Sequence, residues 1–333
     1  MKKFKYVLWS VLGLLLAICT IVYFLPSKEN TTQKQNETVL VKQPSFKKEN
    51  RVTTIKFATT QLCRLNWNTP NGVPYVQVPG ANLGVTSFYV LDKDKIAFLS
   101  DATNEIIIVN QKSESVIKKF PVVLSPRDFT YDNGYYYVLC ETAVFVYNAK
   151  GENISNFEFP QEFSGTMRVL RYENSTFLLL PSGNSLKIES GGKLIKPKKY
   201  EGWITLNGLF IKTQINNNFS YTLNISFPNG ENSSQKFQNK KKVAGVYVIG
   251  AVKNRIVLEI QTFLLEEPIK VERNIQIIGL RDIHPDTVIA TIPISSSFYV
   301  LSNKDISVSK TGGIYTLVTK PKGVYMFSIE ELE

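Results

Sequence analysis

The sequence predicts an all-β protein, a β-propeller of six four-stranded blades closed by an N-terminal strand and preceded by one transmembrane helix. Three observations carry the propeller. From about Ile55 onward, apolar residues come in short runs cut by Gly, Pro, Asn, Asp and Ser, and no segment holds a 3.6-residue apolar period for three turns. Ile96, Tyr135 and Phe177 hold corresponding places 39 and 42 residues apart, and a period near forty with four strands in it fits a propeller rather than a solenoid. The last unit has only three strands, while an unmatched strand stands before the first.

Taken in order, residues 1–6 form a basic leader. Val7–Leu25 follow, 19 residues without a charge. As a helix this run spans about 28 Å, close to the ~30 Å hydrocarbon layer. Trp9 and Tyr23 stand near its two ends, as interface aromatics do, and Pro26 stops it. A cleaved signal peptide has a shorter apolar core and a small-x-small site, which is absent here. A lipoprotein signal places a small residue before its cysteine, but Cys19 follows Ile18. A retained anchor is therefore expected. Lys2, Lys3 and Lys5 place the N-terminus in the cytoplasm and the remainder across the cytoplasmic membrane. Residues 26–57 read as a polar tether, and 58–333 as the propeller.

The first blade reads Ser87–Leu91, Lys95–Leu99, Glu105–Val109 and Val116–Pro121. The second reads Asp128–Tyr131, Tyr135–Cys140, Ala143–Tyr147 and Ile154–Phe159, with Asn133–Gly134 as a two-residue turn. The third reads Met167–Tyr172, Thr176–Leu180, Ser185–Ile188 and Leu194–Tyr200. A fourth is drawn from Gly208–Thr213, Ser220–Phe227 and Lys236–Gln238, and a longer fifth from Val246–Ile249, Arg255–Phe263, Ile269–Ile278 and Thr287–Ile292. Ile306–Ser309, Gly313–Val318 and Gly323–Ile329 begin a sixth that lacks one strand, and Val73–Val78 is expected to fill the gap. Mixing both chain ends in one blade removes an open sheet edge.

The stretch SFYVLDKDKIAFLSDATNEIIIVN and the ending GGIYTLVTKPKGVYMFSI resemble the six-bladed propellers of the NHL and TolB-like group. In that group an Asp-Gly turn precedes one strand and an Asp-x-x-Asn turn the next. Here Asp92–Asp94 and Asp101–Asn104 stand at those places. The resemblance covers about residues 70–332 and is faintest in the fourth and fifth blades. It implies a fold and no particular activity, since such propellers host hydrolases, lyases, receptors and scaffolds.

Little chemistry shows in the chain. There is no G-x-S-x-G, no phosphate loop and no dinucleotide fingerprint. The single histidine, His284, lies in RDIHPDT. Asp282, His284 and Asp286 share one face of an extended segment and are the candidate metal ligands, but three residues of one loop seldom complete a site without distant partners. Asp101 and Asn104 invite comparison with the calcium ligands of lactonase-type propellers, against their ordinary work of capping backbone groups. Tyr135–Tyr137 offers an aromatic surface, with at least one ring turned into the core. Cys63 and Cys140 are expected to be free thiols.

Net charge is +11, which leaves +8 beyond the leader, spread over Lys118–Lys119, Lys196–Lys199 and Lys240–Lys242. No basic cluster is interleaved with aromatics, so nucleic-acid binding is not expected; the lysines read first as solvated turns of a basic protein, with attraction to an anionic surface as the sharper alternative. The expected function is a membrane-tethered extracytoplasmic module that binds a protein, peptide or anionic envelope polymer, without a cofactor and more readily a non-enzyme. The segments Asn229–Lys242 and Phe263–Arg273 read as long insertions to examine first. The alternative is a hydrolase or lyase using calcium or another divalent metal at the propeller axis.

Overall fold

A computed structural model describes residues 57–188, 197–265, 268–281 and 284–331 of the 333-residue chain. The leader, Val7–Leu25 and residues 26–56 of the tether lie outside them. Among the described residues no helix is long and apolar enough to cross a membrane.

The described chain begins with β1 (Phe57–Asn66) and a small hairpin of β2 (Val76–Val78) and β3 (Ala81–Leu83). Six four-stranded antiparallel sheets hold the rest. The first contains β4 (Val85–Val90), β5 (Lys95–Ser100), β6 (Glu105–Asn110) and β7 (Ser115–Pro121). The second contains β8 (Asp128–Asp132), β9 (Tyr135–Leu139), β10 (Ala143–Tyr147) and β11 (Asn153–Glu158). β12 (Arg168–Tyr172), β13 (Ser175–Leu179), β14 (Asn184–Ile188) and β15 (Lys198–Glu201) make the third. β16 (Trp203–Ile204), β17 (Phe210–Asn217), β18 (Ser220–Ser226) and β19 (Asn232–Gln238) make the fourth. The fifth is the longest, with β20 (Val243–Val252), β21 (Arg255–Leu265), β22 (Lys270–Arg281) and β23 (His284–Ile294). β24 (Ile306–Val308), β25 (Ile314–Lys320) and β26 (Gly323–Glu331) form the sixth with β1.

The ring closes through a different strand from the expected one. β1 runs antiparallel to β26, from Phe57 opposite Glu331 to Asn66 opposite Gly323. Val73–Val78 does not close the ring; its last three residues pair with β3 in the side hairpin. An outermost strand keeps one face in solvent, so Thr59, Thr60, Gln61 and Arg64 are exposed and the strand looks polar in sequence. Gly323 is required at the clasp, because a Cβ there would stand 2.1 Å from the Leu65 carbonyl oxygen.

Burial follows position within each blade. Middle strands are flanked by neighbouring blades on both faces, and in the first two blades they are almost wholly apolar, as in Ile106–Val109. Five apolar clusters fill the gaps between blades; Phe88, Ile96 and Met326 join the sixth to the first, and Ala97, Phe129 and Val138 join the first to the second. Outermost strands are polar. Lys118 and Lys119 lie on β7 and Lys198 and Lys199 on β15. Charge on an edge strand opposes edge-to-edge pairing with another sheet. The segment Asn229–Lys242, expected as an insertion, is largely such a strand, since β19 pairs along its full length with β18. Asn133 (φ 50°) and Gly134 (φ 88°) both take positive φ, the type I′ turn their sequence predicts.

Successive first strands adjoin one another, β4 with β8, β8 with β12 and β20 with β24, and so surround the axis. Four antiparallel strands return each blade to the side on which it began. All connections between blades therefore run on one side, the linker face. The turns that follow each first strand lie on the other, the turn face.

Candidate functional site at the propeller axis

Side chains at alternate positions of a first strand point the same way. On β8 this sets Asp128, Thr130 and Asp132 in one row, all buried. Asp128 opens the row at the linker face and is fully buried. Its Oδ1 accepts from Ser87 Oγ (2.6 Å) and lies 2.7 Å from Lys304 Nζ, and its Oδ2 accepts from Val169 N (3.1 Å). Lys304 also donates to the Phe129 carbonyl (2.6 Å) and lies over the Phe129 ring. Burial pushes the Lys304 ammonium below its ordinary pKa, and Asp128 opposes that shift.

Lys304 arrives on the linker before β24. Ser302 Oγ, Asn303 N and Lys304 N all donate to the Thr86 carbonyl, at 2.8, 2.7 and 3.1 Å. Asn303 Nδ2 donates to the Arg127 carbonyl (2.8 Å), and Arg127 Nη1 donates to the Ser164 carbonyl. These bonds join the linkers entering blades six, two and three.

Beside this cluster Arg273 is held between two carboxylates. It donates to Glu259 from Nε (2.7 Å) and Nη2 (2.9 Å), and to Asp305 from Nη1 (2.8 Å) and Nη2 (3.2 Å). Burial works to raise the Glu259 pKa, but Arg273 outweighs it and holds the carboxyl below its ordinary value. Burial works equally against the Arg273 charge, yet the two carboxylates raise its pKa. At the turn face Asp132 accepts from Lys310 Nζ (2.5 Å) and lies 3.8 Å from Arg171 Nε. Burial, then Asp132, pushes Tyr89 up to about 12.

Between these clusters lies a cavity of about 50 Å³ lined from every blade, by Tyr89, Thr130, Leu170, Thr205, Gly250 and Ser307 among others. A wider basin of about 250 Å³ opens at the turn face beside Tyr89, Tyr131, Asp132 and Lys310.

The residues singled out from sequence fall elsewhere. Asp282 lies outside the described residues. The backbone of His284 begins β23, the outermost strand of the fifth blade, opposite Arg281, and Asp286 is exposed on the same strand. Among the described residues no group of three or more His, Cys, Asp and Glu is placed to hold a metal ion. Asp101 caps backbone, with its Oδ1 accepting from Gly84 N (2.6 Å); burial raises its pKa against those bonds. Asn104 Oδ1 accepts from Ser125 N (3.1 Å). Tyr135 is exposed, whereas Tyr136 packs toward the first blade and Tyr137 toward the third. Cys63 and Cys140 are free, buried thiols in different clusters.

The axial ion pairs are what sequence reading missed. One signal was present, the charged alternation of Asp128-Phe129-Thr130-Tyr131-Asp132 in a strand that must be buried. Another was the lone Glu259 in the apolar run Ile256–Ile260.

The class these observations define is a six-bladed, all-β propeller whose last blade is completed by the first described strand. No family model matches the chain, and no curated protein matches it. Solved structures resemble the chain distantly. A catalytically inactive virginiamycin B lyase from Staphylococcus aureus, with quinupristin, is 11% identical with a TM-score of 0.44, covering 84% of this chain and 100% of that one. Hydrazine synthase of Kuenenia stuttgartiensis is 13% identical with a TM-score of 0.43, covering 72% and 74%. Likeness at this level carries no functional argument.

Proposed function

We propose that this protein is a membrane-tethered propeller of the NHL and TolB-like kind, held outside the cytoplasmic membrane by Val7–Leu25. Its linker face binds a protein, a peptide or an anionic envelope polymer, and it does so without a metal or other cofactor. The observation that carries this reading is the makeup of the linker face. Leu124 and Leu301 are 79% and 76% exposed, and Met167 is 42% exposed. They sit on the three linkers that Asn303 and Arg127 join, so apolar side chains and an arginine are gathered where the ring is firmly bonded. Exposed apolar groups on a rigid frame suit partner binding. Binding is favoured over metal-assisted hydrolysis because the carboxylates Asp128 and Asp132 at the axis, and Glu259 and Asp305 between the fifth and sixth blades, each already face a cation.

The test is site-specific crosslinking in the full-length protein in its native membrane. A photoreactive residue at Leu301 should give a discrete adduct, one at Ile154 on the outermost strand of the second blade should not, and Leu124→Glu should remove it. Equal labelling from both positions, or none from Leu301, overturns the reading. Stoichiometric calcium that raises the melting temperature would favour the metal-dependent alternative.

A further inference from the structure

Arg168 begins β12 and borders the six-blade cavity beside Asp128 and Lys304. Its guanidinium lies over the Trp203 ring, 5.7 Å from the centroid. Its Nε is buried without a hydrogen-bond partner, and among the described residues the side chain makes neither an ion pair nor a hydrogen bond. The other cations near it, at the axis or between blades, differ. Lys304 has Asp128, Lys310 and Arg171 have Asp132, and Arg273 has Glu259 and Asp305. Glu259 lies close enough for Arg168 to lower its pKa. Both Glu259 oxygens are nevertheless taken, Oε1 by Arg273 and Gln261 and Oε2 by Arg273. Arg168 is only partly buried, but its Nε is out of solvent with no acceptor, and a buried donor without an acceptor carries its full desolvation cost.

The cavity has a polar end and an apolar wall. Arg168, Lys304 and Asp128 stand where the first strands begin, and Leu170, Ile249 and Val308 stand further along. Its volume of about 50 Å³ has room for a few waters, or for one carboxylate with an adjoining carbon. We propose that Arg168 and this cavity bind a small carboxylate. The planar guanidinium presents paired donors to two carboxylate oxygens, and the apolar wall accepts the carbon they are attached to. A short free acid and the carboxylate end of a longer molecule offer the same head group. Arg168 follows Met167 of the linker face, but acetate binding and partner crosslinking are read separately, so either proposal can fail alone.

The test is calorimetry and thermal unfolding of the full chain in detergent with sodium acetate, acetamide or sodium chloride at matched ionic strength. Acetate should bind saturably near one equivalent and raise the melting temperature, with acetamide and chloride much weaker. Arg168→Gln should weaken acetate at least tenfold, and Arg168→Lys, which keeps the charge but loses the fork, should also weaken it. Arg64→Gln, exposed on the outermost strand β1 and away from the cavity, should leave it unchanged. Short peptides with free or amidated C-termini then distinguish a chain end from a free acid as the source. The proposal is overturned if acetate does not saturate, if acetamide or chloride binds equally, or if Arg168→Gln binds as the parent does. It is also overturned if a crystal grown with acetate shows only water at Nε. Should Arg168→Gln fail to fold, Arg168→Lys and the acetate-against-acetamide comparison on the parent decide.

Discussion

Lys304, on the linker into the sixth blade, places its ammonium 2.7 Å from the carboxylate of Asp128 in the second, with both side chains out of solvent. Breaking a buried pair by removing one partner typically costs about 3–5 kcal/mol, while replacing both by apolar groups of like volume costs far less. Lys304→Met alone should therefore destabilise by about 3 kcal/mol, and Lys304→Met with Asp128→Leu by less than the two single changes added together. Urea unfolding of the four proteins checks this. Additive effects would mean that the pair is not coupled.

The Arg273 cluster sets the acid limb of stability. The folded pKa of Glu259 lies below its ordinary 4.5, so its contribution is fully present above that value and is lost as pH falls through the lower folded pKa. The melting temperature should thus drop steeply below about pH 4.5. Glu259→Gln should be less stable at neutral pH and should show a shallower acid limb. An unchanged slope would remove Glu259 as its source.

Burial pushes Cys63 up to about 12 and Cys140 up to about 11. Thiolate is the reactive form, so neither should react with a thiol reagent in the native protein at pH 8, and both should react at once in denaturant. Mass spectrometry of the labelled chain distinguishes the two states.

Gly323 takes φ 151° against the Leu65 carbonyl. Gly323→Ala should loosen the β1–β26 clasp and cost about 1–3 kcal/mol. Faster exchange of amides in β1 and β26, with β5 and β6 unaffected, would locate the damage; uniform loss would mean that the ring fails as a whole.

For the anchor, the full chain should fractionate with membranes and resist alkaline extraction, and a chain lacking residues 2–25 should be released. Release of both would refute membrane retention.

Much of the ring was legible because middle strands advertise themselves. Ile106–Val109 and Tyr136–Leu139 are apolar on both faces, having a blade on either side. Legibility fails where a strand is short or half exposed. Trp203–Ile204 is too brief to show a period, and Phe57–Asn66 shows polar residues to solvent while the more apolar Val73–Val78 drew the assignment. The axial site was illegible for another reason. Asp128 and Lys304 meet only through ring closure, and Arg273 and Asp305 only when the fifth blade packs against the linker to the sixth; nothing local in either segment names its partner. Arg168 is defined by an acceptor it lacks, which sequence cannot display at all.

The clasp also carries a consequence in time. β1 precedes every other described strand in the chain, and its partner β26 follows them all. During synthesis the strand made first must wait for the strand made last, while the intervening blades can pair locally as they emerge. The final pairing among the described strands is therefore the one most distant in sequence, the kind that sets a slow rate. Until it happens the nascent ring carries two open edges, β1 and β26, and they are each other's only intended cover.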